Sequence, residues 1–296
     1  MRISVITPSF NHARYLPATL DSVRMQYGVE VEHIVVDGGS KDGTIEILRN
    51  WEGPGHQWIS EPDVGQTDAI NKGLRLATGE LLAYLNSDDI YYPEALVAVA
   101  DYFSSHPGCQ IAYGDADHLN EDGSFMKQYP TEPWDYERLQ ETCFICQPAV
   151  FWRRAVIERF GLFDERFHIS LDYEYWLRVG AHLPFHYLRG KVLAGSRMYP
   201  QNKTMSQRVR GHEETLDIVA RYATSLPPVV HWLKVLADIR ATRESRADST
   251  FQEHVPYPVL KATWLLLYAE EYQIPLDSGT LRELSVSFPQ KARNDI

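Results

Sequence analysis

Apolar positions in the first hundred residues fall into short continuous runs separated by amphipathic stretches. Arg2-Ile3-Ser4-Val5-Ile6-Thr7 reads as a strand that begins almost at Met1 and runs into Pro8-Ser9-Phe10-Asn11. Leu16, Leu20 and Val23 recur at helical spacing between Tyr15 and Met25. Val31 to Val36 is a β-branched run, closed by Asp37-Gly38-Gly39-Ser40-Lys41-Asp42-Gly43-Thr44, where Ser40, Asp42 or Thr44 is placed to cap a helix. Gln57 to Ser60 is a weak third strand, and Ala69, Leu74 and Leu76 mark a third helix. Leu81 to Leu85 is apolar throughout, as expected of a strand covered on both faces. Strands alternating with helices of this length predict an α/β fold with a doubly wound, mostly parallel mixed sheet and right-handed crossovers.

Beyond that run the pattern loosens. Tyr113 to Asp117 reads as a strand leaving the sheet, and Asn120-Glu121-Asp122-Gly123-Ser124 is a turn between two strand-like runs. Gln147 lies beside Pro148 in another strand-like run. A short helix from Ala155 to Phe160 leads into a turn at Phe163 to Phe167, and Tyr175, Trp176 and Val179 form a helical stripe after Asp172. From about residue 206 the character is helical: Ser206 to Ala223, Leu226 to Ala241 and Pro256 to Tyr272, with a last short helix at Leu281 to Val286. Arg240 to Ser249 reads as a polar linker or exposed turn. The expected organisation is a catalytic domain over residues 1–205, split into 1–117 and 118–205, and a helical appendage over 206–296. The apolar faces of that appendage carry Trp232, Leu233, Val235, Leu236 and Trp264 to Leu267. They suit packing of its helices on each other first, and a homodimer or peripheral membrane contact second.

In open α/β sheets ligands bind at the carboxyl ends of the strands. One pocket should therefore collect Thr7 to Asn11, Asp37 to Ser40, Asp63 to Asp68, and Asp88 with Asp89. Two adjacent carboxylates at a strand end are costly unless a cation or proton neutralises them. Mg²⁺ or Mn²⁺ holding a phosphate would do so, whereas a helix N-cap is the structural alternative. The first strand–helix turn has no glycine, so the G-x-G-x-x-G fingerprint is missing where a dinucleotide needs it, and no G-x-x-x-x-G-K-[ST] loop occurs. On periodicity alone Asp172 is a cap or first-turn carboxylate.

Five segments together resemble a family 2 glycosyltransferase with the GT-A fold. They are Ser4 to Asn11, Val35 to Thr44, Asp63 to Gly73, Asn86-Ser87-Asp88-Asp89, and Leu171 to Arg178. The resemblance covers roughly residues 1–210 and implies roles position by position. Thr7, Pro8 and Asn11 would line the base and ribose, and Asp37 would accept from a base N–H. Asp63 and Asp68 would sit at the nucleotide or donor-sugar edge. Asp88 and Asp89 would bind Mn²⁺ or Mg²⁺ against the diphosphate of a nucleotide-sugar donor, with UDP-type the leading choice. Asp172 would be the base that deprotonates a saccharide or glycolipid acceptor in one inverting displacement.

The chain departs from the family's pattern in several places. Asn86 stands where the acidic triplet often begins, Ile70 where a basic residue is often found, and Leu171 where Glu often precedes the base. Tyr199 stands where a late His often completes the metal site, and a neutral phenol is a poor ligand for these ions. Tyr199 could instead meet the diphosphate, Arg197 and Lys203 could add charge to it, and Gln147 resembles a position near the acceptor. Trp134, Tyr136, Phe144, Trp152 and His168 form a pool of acceptor contacts or core aromatics.

Composition narrows the classes. A net charge of −11 argues against nucleic acid and against a basic membrane patch. No segment reaches the roughly 20 apolar residues of a membrane span. With Met1-Arg2 leading into a strand, no secretory signal is expected, and the expected location is cytoplasmic or peripheral at the inner membrane face. Three cysteines suggest no disulfide framework, so Cys143 and Cys146 read as core or cleft residues, and the Asn202-Lys203-Thr204 sequon is expected to be irrelevant. Two other readings stay open: a nucleotidyltransferase, which lacks its usual phosphate loop here, and a catalytically inactive relative, which Asn86 and Tyr199 keep alive.

Overall fold

The structure is a computed structural model that describes residues 1–51, 53–247 and 257–287. Its contacts divide the chain into two units, residues 1–206 and residues 207 onward.

The first unit opens with the expected alternation: β1 (Arg2–Ser9), α1 (Leu16–Arg24), β2 (Glu30–Asp37), α2 (Thr44–Arg49), β3 (His56–Ser60), α3 (Gln66–Leu76) and β4 (Leu81–Tyr84). These four strands lie parallel in the order β3-β2-β1-β4. Alternate side chains of β1 point to opposite faces. Ile3 and Val5 join a core with Leu96, Val99 and Phe103 of α4 (Ala95–Ser105), whereas Ile6 meets α3. That second contact needs glycine: a Cβ on Gly73 would stand 2.4 Å from Ile6 Cγ2. Both faces of the sheet are therefore covered, which is why β4 is buried at every position.

The sheet then turns mixed. Beyond β4 lie β8 (Val150–Arg153), β6 (Ile111–Leu119) and β9 (His186–Arg197), with the short β5 (Ile90–Tyr91) at the end and β7 (Phe125–Gln128) paired to β6. β8 is antiparallel to β4 and β6, while β6 and β9 are parallel. The strand expected to leave the sheet at Tyr113 does the opposite. As part of β6, Tyr113 is paired to both β8 and β9, and the β9 pairing continues to Leu119 with register shifts around Asp115. The Asn120 to Ser124 turn joins β6 to β7 as expected. Gln147 is not in a strand: Gln147–Ala149 is a 3-10 turn leading into β8. α5 (Tyr136–Glu141), α6 (Arg154–Phe160), α7 (Leu171–Gly180) and α8 (Lys203–Ser206) complete the unit. Tyr84, Trp152, Phe163, Tyr175 and Trp176 pack ring against ring and anchor α7 to the sheet.

The second unit contains α9 (Arg208–Tyr222), α10 (Leu226–Ala247), α11 (Tyr257–Glu271) and α12 (Ser278–Ser287). α10 packs against α9 and α11, burying Leu233, Leu236, Ala237 and Leu265. The expected linker at Arg240 is instead the last turns of α10, because Arg and Glu are good helix formers there. Ser249 and Pro256, assigned above to that linker and to the next helix, lie outside the described residues. Among the described residues no helix is long and apolar enough to cross a membrane.

Candidate active site

β4 ends at Tyr84, and Leu85 still donates its N–H to Ile6 O on β1. The chain then turns through Asn86 to Asp89 before β5. Asp89 is 3% exposed. Its Oδ1 accepts the backbone N–H of Arg197 at 2.9 Å and its Oδ2 accepts Asn86 Nδ2 at 3.1 Å. Burial, then the neighbouring Asp88 carboxylate, raises the Asp89 carboxyl well above the usual range. Asp88 is half-buried, and its Oδ2 accepts the Tyr199 hydroxyl at 2.8 Å. Arg197 comes close without pairing to either carboxylate: its guanidinium donates to the backbone carbonyls of Asp88 and Glu121. It also lies over the Tyr15 ring, which packs on Tyr199. Its positive charge is thus tied into the loop that holds the motif.

Two adjacent carboxylates, one of them buried, with no cationic side chain among the described residues paired to either, form an oxygen-rich foothold that fits a hard divalent cation. Among the described residues no group of three or more His, Cys, Asp or Glu gathers to hold a metal.

The loop after β2 packs against the same strand edge. Asp37 is fully buried. It accepts the N–H groups of Gly39 and Ser40, each at 2.9 Å, and the hydroxyls of Ser40 and Ser60. Asn11, at φ 53°, accepts the Lys41 N–H and donates its own N–H to Ser40, clipping the β1 loop to the β2 loop. The Asp63 carboxylate closes over Gly38, where a Cβ would stand 2.5 Å from Oδ2. Burial raises the Asp63 carboxyl, opposed by the Gly65 N–H. Asp68 accepts the Val64 N–H and pairs with Lys72, fixing the loop before α3. Thr7 and Pro8 are buried in β1. The Thr7 hydroxyl lies 2.9 Å from His33 Nε2 beneath the strand.

α7 brings Asp172 to this edge from the far end of the unit. It lies in the first turn of α7, half-buried, accepting the Tyr173 N–H at 2.8 Å. Burial, then Asp172 and Asp89 together, pushes the Tyr84 phenol well above its usual value. The buried Cys146 thiol is raised by burial and by the same two carboxylates. Both aspartates therefore act on one region. Gln147 belongs there too, donating to Tyr84 O at 2.7 Å and accepting from Asn86. Lys203 donates to Gln66 Oε1. Of the aromatic pool, Phe144 and Trp152 are core, Trp134 stacks on Phe185, and His168 lies beside Gly65. Sequence reasoning missed His12, whose Nδ1 meets Ser87 Oγ at 2.7 Å, and Gln66, which sits inside a recognised motif but carries no charge to mark it.

Residues 4–160 match Glycosyl transferase family 2. A PGL/p-HBAD biosynthesis glycosyltransferase of Mycobacterium bovis is 34% identical over 184 residues, 59% of this chain and 68% of that protein. An uncharacterized glycosyltransferase of Mycobacterium tuberculosis is 46% identical over 181 residues, 60% of this chain and 68% of that protein. In fold, the chain is similar to S. aureus TarS 1-349 in complex with UDP-GlcNAc: TM-score 0.67, 19% identity, 99% of this chain and 85% of that one. The Pyrobaculum calidifontis mannosyltransferase PcManGT in complex with GDP-Man and Mn2+ gives a TM-score of 0.60 at 16% identity, with 92% and 86% covered. Sheet, surrounding helices and matched sequence agree: the chain belongs to glycosyl transferase family 2 and is a glycosyltransferase.

Proposed function

We propose that this glycosyltransferase moves a sugar from a nucleotide-diphosphate donor of UDP type to a hydroxyl of a saccharide or glycolipid acceptor, with inversion. The carrying observation is that Asp89 is buried beside Asp88 just past the end of β4, while the rings of Tyr84, Phe163 and Tyr175 join β4 to α7, whose first turn carries Asp172. This supports a reading in which Asp89 serves the donor and Asp172 the acceptor. TarS structures hold UDP-GlcNAc or UDP, and PcManGT holds GDP-Man with Mn2+, which supports a nucleotide-sugar donor of this kind.

The nucleotide would rest on the loops at the ends of β1 and β2. Asn11 and Asp37 order those loops, the main chain of Thr7 and Pro8 forms the floor, and Asp63 and Asp68 form the rim. With Asp37 taken up by the Gly39 and Ser40 N–H groups and the Ser40 and Ser60 hydroxyls, Asp63 rather than Asp37 would accept an N–H from the base. Asp88 and Asp89 would hold a divalent cation, which when bound offsets the charge of the leaving diphosphate. The Tyr199 hydroxyl occupies an Asp88 oxygen that the cation would also use, and Arg197 holds the loop that carries both aspartates. Asp172 takes the proton of the acceptor hydroxyl. The acceptor oxygen forms a bond to the anomeric carbon as the bond from that carbon to the phosphate oxygen breaks. The electron pair leaves with the nucleoside diphosphate. One base and one stabilised leaving group suffice for this single displacement.

The test is release of free nucleoside diphosphate from a panel of UDP- and GDP-sugars, with and without Mn²⁺, for wild type and Asp172→Asn. Metal-stimulated release from UDP-sugars by the wild type is expected. Pyrophosphate release from nucleoside triphosphates assayed in parallel, with no diphosphate released from the nucleotide sugars, would point to nucleotidyl transfer. No turnover, with donor binding intact, would point to an inactive relative.

A further inference from the structure

Lys203 Nζ donates to Gln66 Oε1 at 2.8 Å, joining α8 to the first residue of α3. An ammonium can only donate, so the Gln66 oxygen must face it. Gln66 Nε2 is then turned to Asn86 Oδ1, at 2.6 Å. The Asn86 oxygen is thereby an acceptor, and its Nδ2 donates to Asp89 Oδ2 at 3.1 Å and to Gln147 Oε1 at 3.2 Å. Gln147 Nε2 in turn donates to Tyr84 O. The orientation of a side-chain amide is ordinarily a matter of assignment. Here an obligate donor stands at one end and an obligate acceptor, a backbone carbonyl, at the other. Both ends enforce the same polarity on all three amides between them.

We propose that Lys203, Gln66 and Asn86 are positioning residues that aim Asp89, acting as one directed hydrogen-bond chain from α8 across α3 to the motif. The proposal rests on the reading of Asp89 as a cation-side carboxylate. It gives Asn86 a reason to be an amide: a carboxylate there could not donate to Asp89 or Gln147 and would set a third negative charge beside the pair. It also redirects Lys203, whose ammonium acts through Gln66 rather than on the donor diphosphate. The four segments involved are far apart in sequence, so the chain also registers whether α8 is seated.

The experiment uses the full chain with UDP and MnCl2 as probes, measuring UDP affinity by calorimetry with and without Mn²⁺, and kcat and KM for turnover. Lys203→Met and Gln66→Ala should each weaken Mn²⁺-dependent UDP binding about three- to tenfold, the scale of one charge-assisted hydrogen bond partly open to water. Asn86→Asp should weaken it at least as much. Metal-free UDP affinity should stay unchanged, and Lys203→Arg, which still donates, should restore binding. The Lys203→Met, Gln66→Ala double variant should be no worse than Gln66→Ala alone, because links of one chain do not add. Additive losses, or equal loss without metal, would show that Lys203 touches the ligand directly and would overturn the proposal. Asp89→Ala separates the two ideas. If it abolishes Mn²⁺-dependent binding while Lys203→Met and Asn86→Asp do nothing, only the positioning chain fails. If Asp89→Ala itself changes nothing, the cation-side reading fails and the chain loses its role with it.

Discussion

The Tyr199 hydroxyl donates to Asp88 Oδ2 at 2.8 Å, from the position where a late histidine often stands in the family. The phenol is pushed well above its usual pKa by burial and by Asp88, so it stays a donor. A cation held by Asp88 would have to compete with it for that carboxylate oxygen. Tyr199→Phe should therefore tighten Mn²⁺-dependent UDP binding, by about two- to tenfold for one neutral hydrogen bond. Weaker binding, measured by calorimetry, would show that the phenol holds Asp88 in its working position instead.

Asp89→Ala should remove most Mn²⁺-dependent affinity for UDP and leave metal-free UDP binding nearly unchanged. The side chain is buried on the motif, where it accepts from the Arg197 N–H and Asn86 Nδ2. Calorimetric titration with and without Mn²⁺ reads this directly; an unchanged metal-dependent affinity sinks the assignment.

Asp172→Asn preserves size and can still accept the Tyr173 N–H but cannot take a proton. Loss of a general base typically costs about 10²–10⁴-fold in rate. Donor affinity should hold while kcat falls in that range. Turnover near wild type would reduce Asp172 to a first-turn carboxylate of α7.

Asp37→Ala should be read first as a stability change. It strands two backbone N–H groups and two hydroxyls in a site without exposure, a loss of about 2–4 kcal/mol. Gly38→Ala is the cleaner probe of the nucleotide edge. Its Cβ would displace the Asp63 carboxylate, so UDP affinity should fall with or without metal while Tm moves by no more than about 2 °C. If UDP affinity is unaffected, Asp63 does not face the nucleotide.

His33 predicts an acid limit to stability. Burial, then the nearby His56, lowers its pKa from 6.5 to about 3. Unfolded chains take up this proton near pH 6.5 and folded ones only near 3. The contribution is therefore complete above pH 6.5 and declines as pH falls through that window, by up to about 1.4 kcal/mol per pH unit. His33→Gln can still meet Thr7 without titrating. The stability advantage of wild type over this variant should shrink from pH 7 to pH 4 in denaturant titrations; a constant gap would mean His33 does not titrate there.

Where information is local, the sequence alone was decisive. The runs at Ile3 to Thr7, Val31 to Val36, Gln57 to Ser60 and Leu81 to Leu85, with amphipathic helices between them, specify four parallel strands, since such connections can close in few ways. Motif order was enough to point to the glycosyltransferase family. What the tertiary structure decided is pairing and direction. β6 lies between an antiparallel and a parallel partner because long-range hydrogen bonds, not local pattern, choose strand neighbours. Thr7 turns toward His33 because a strand buried on both faces shows no alternation to reveal which side chains point to the ligand edge. Arg197 and Lys203 read as loose charges in a loop, yet one is tied to carbonyls of the motif loop and of the β6–β7 turn, and the other to Gln66. Those partners lie tens to more than a hundred residues away, and only the folded chain brings an obligate donor and an obligate acceptor to the two ends of one line of amides.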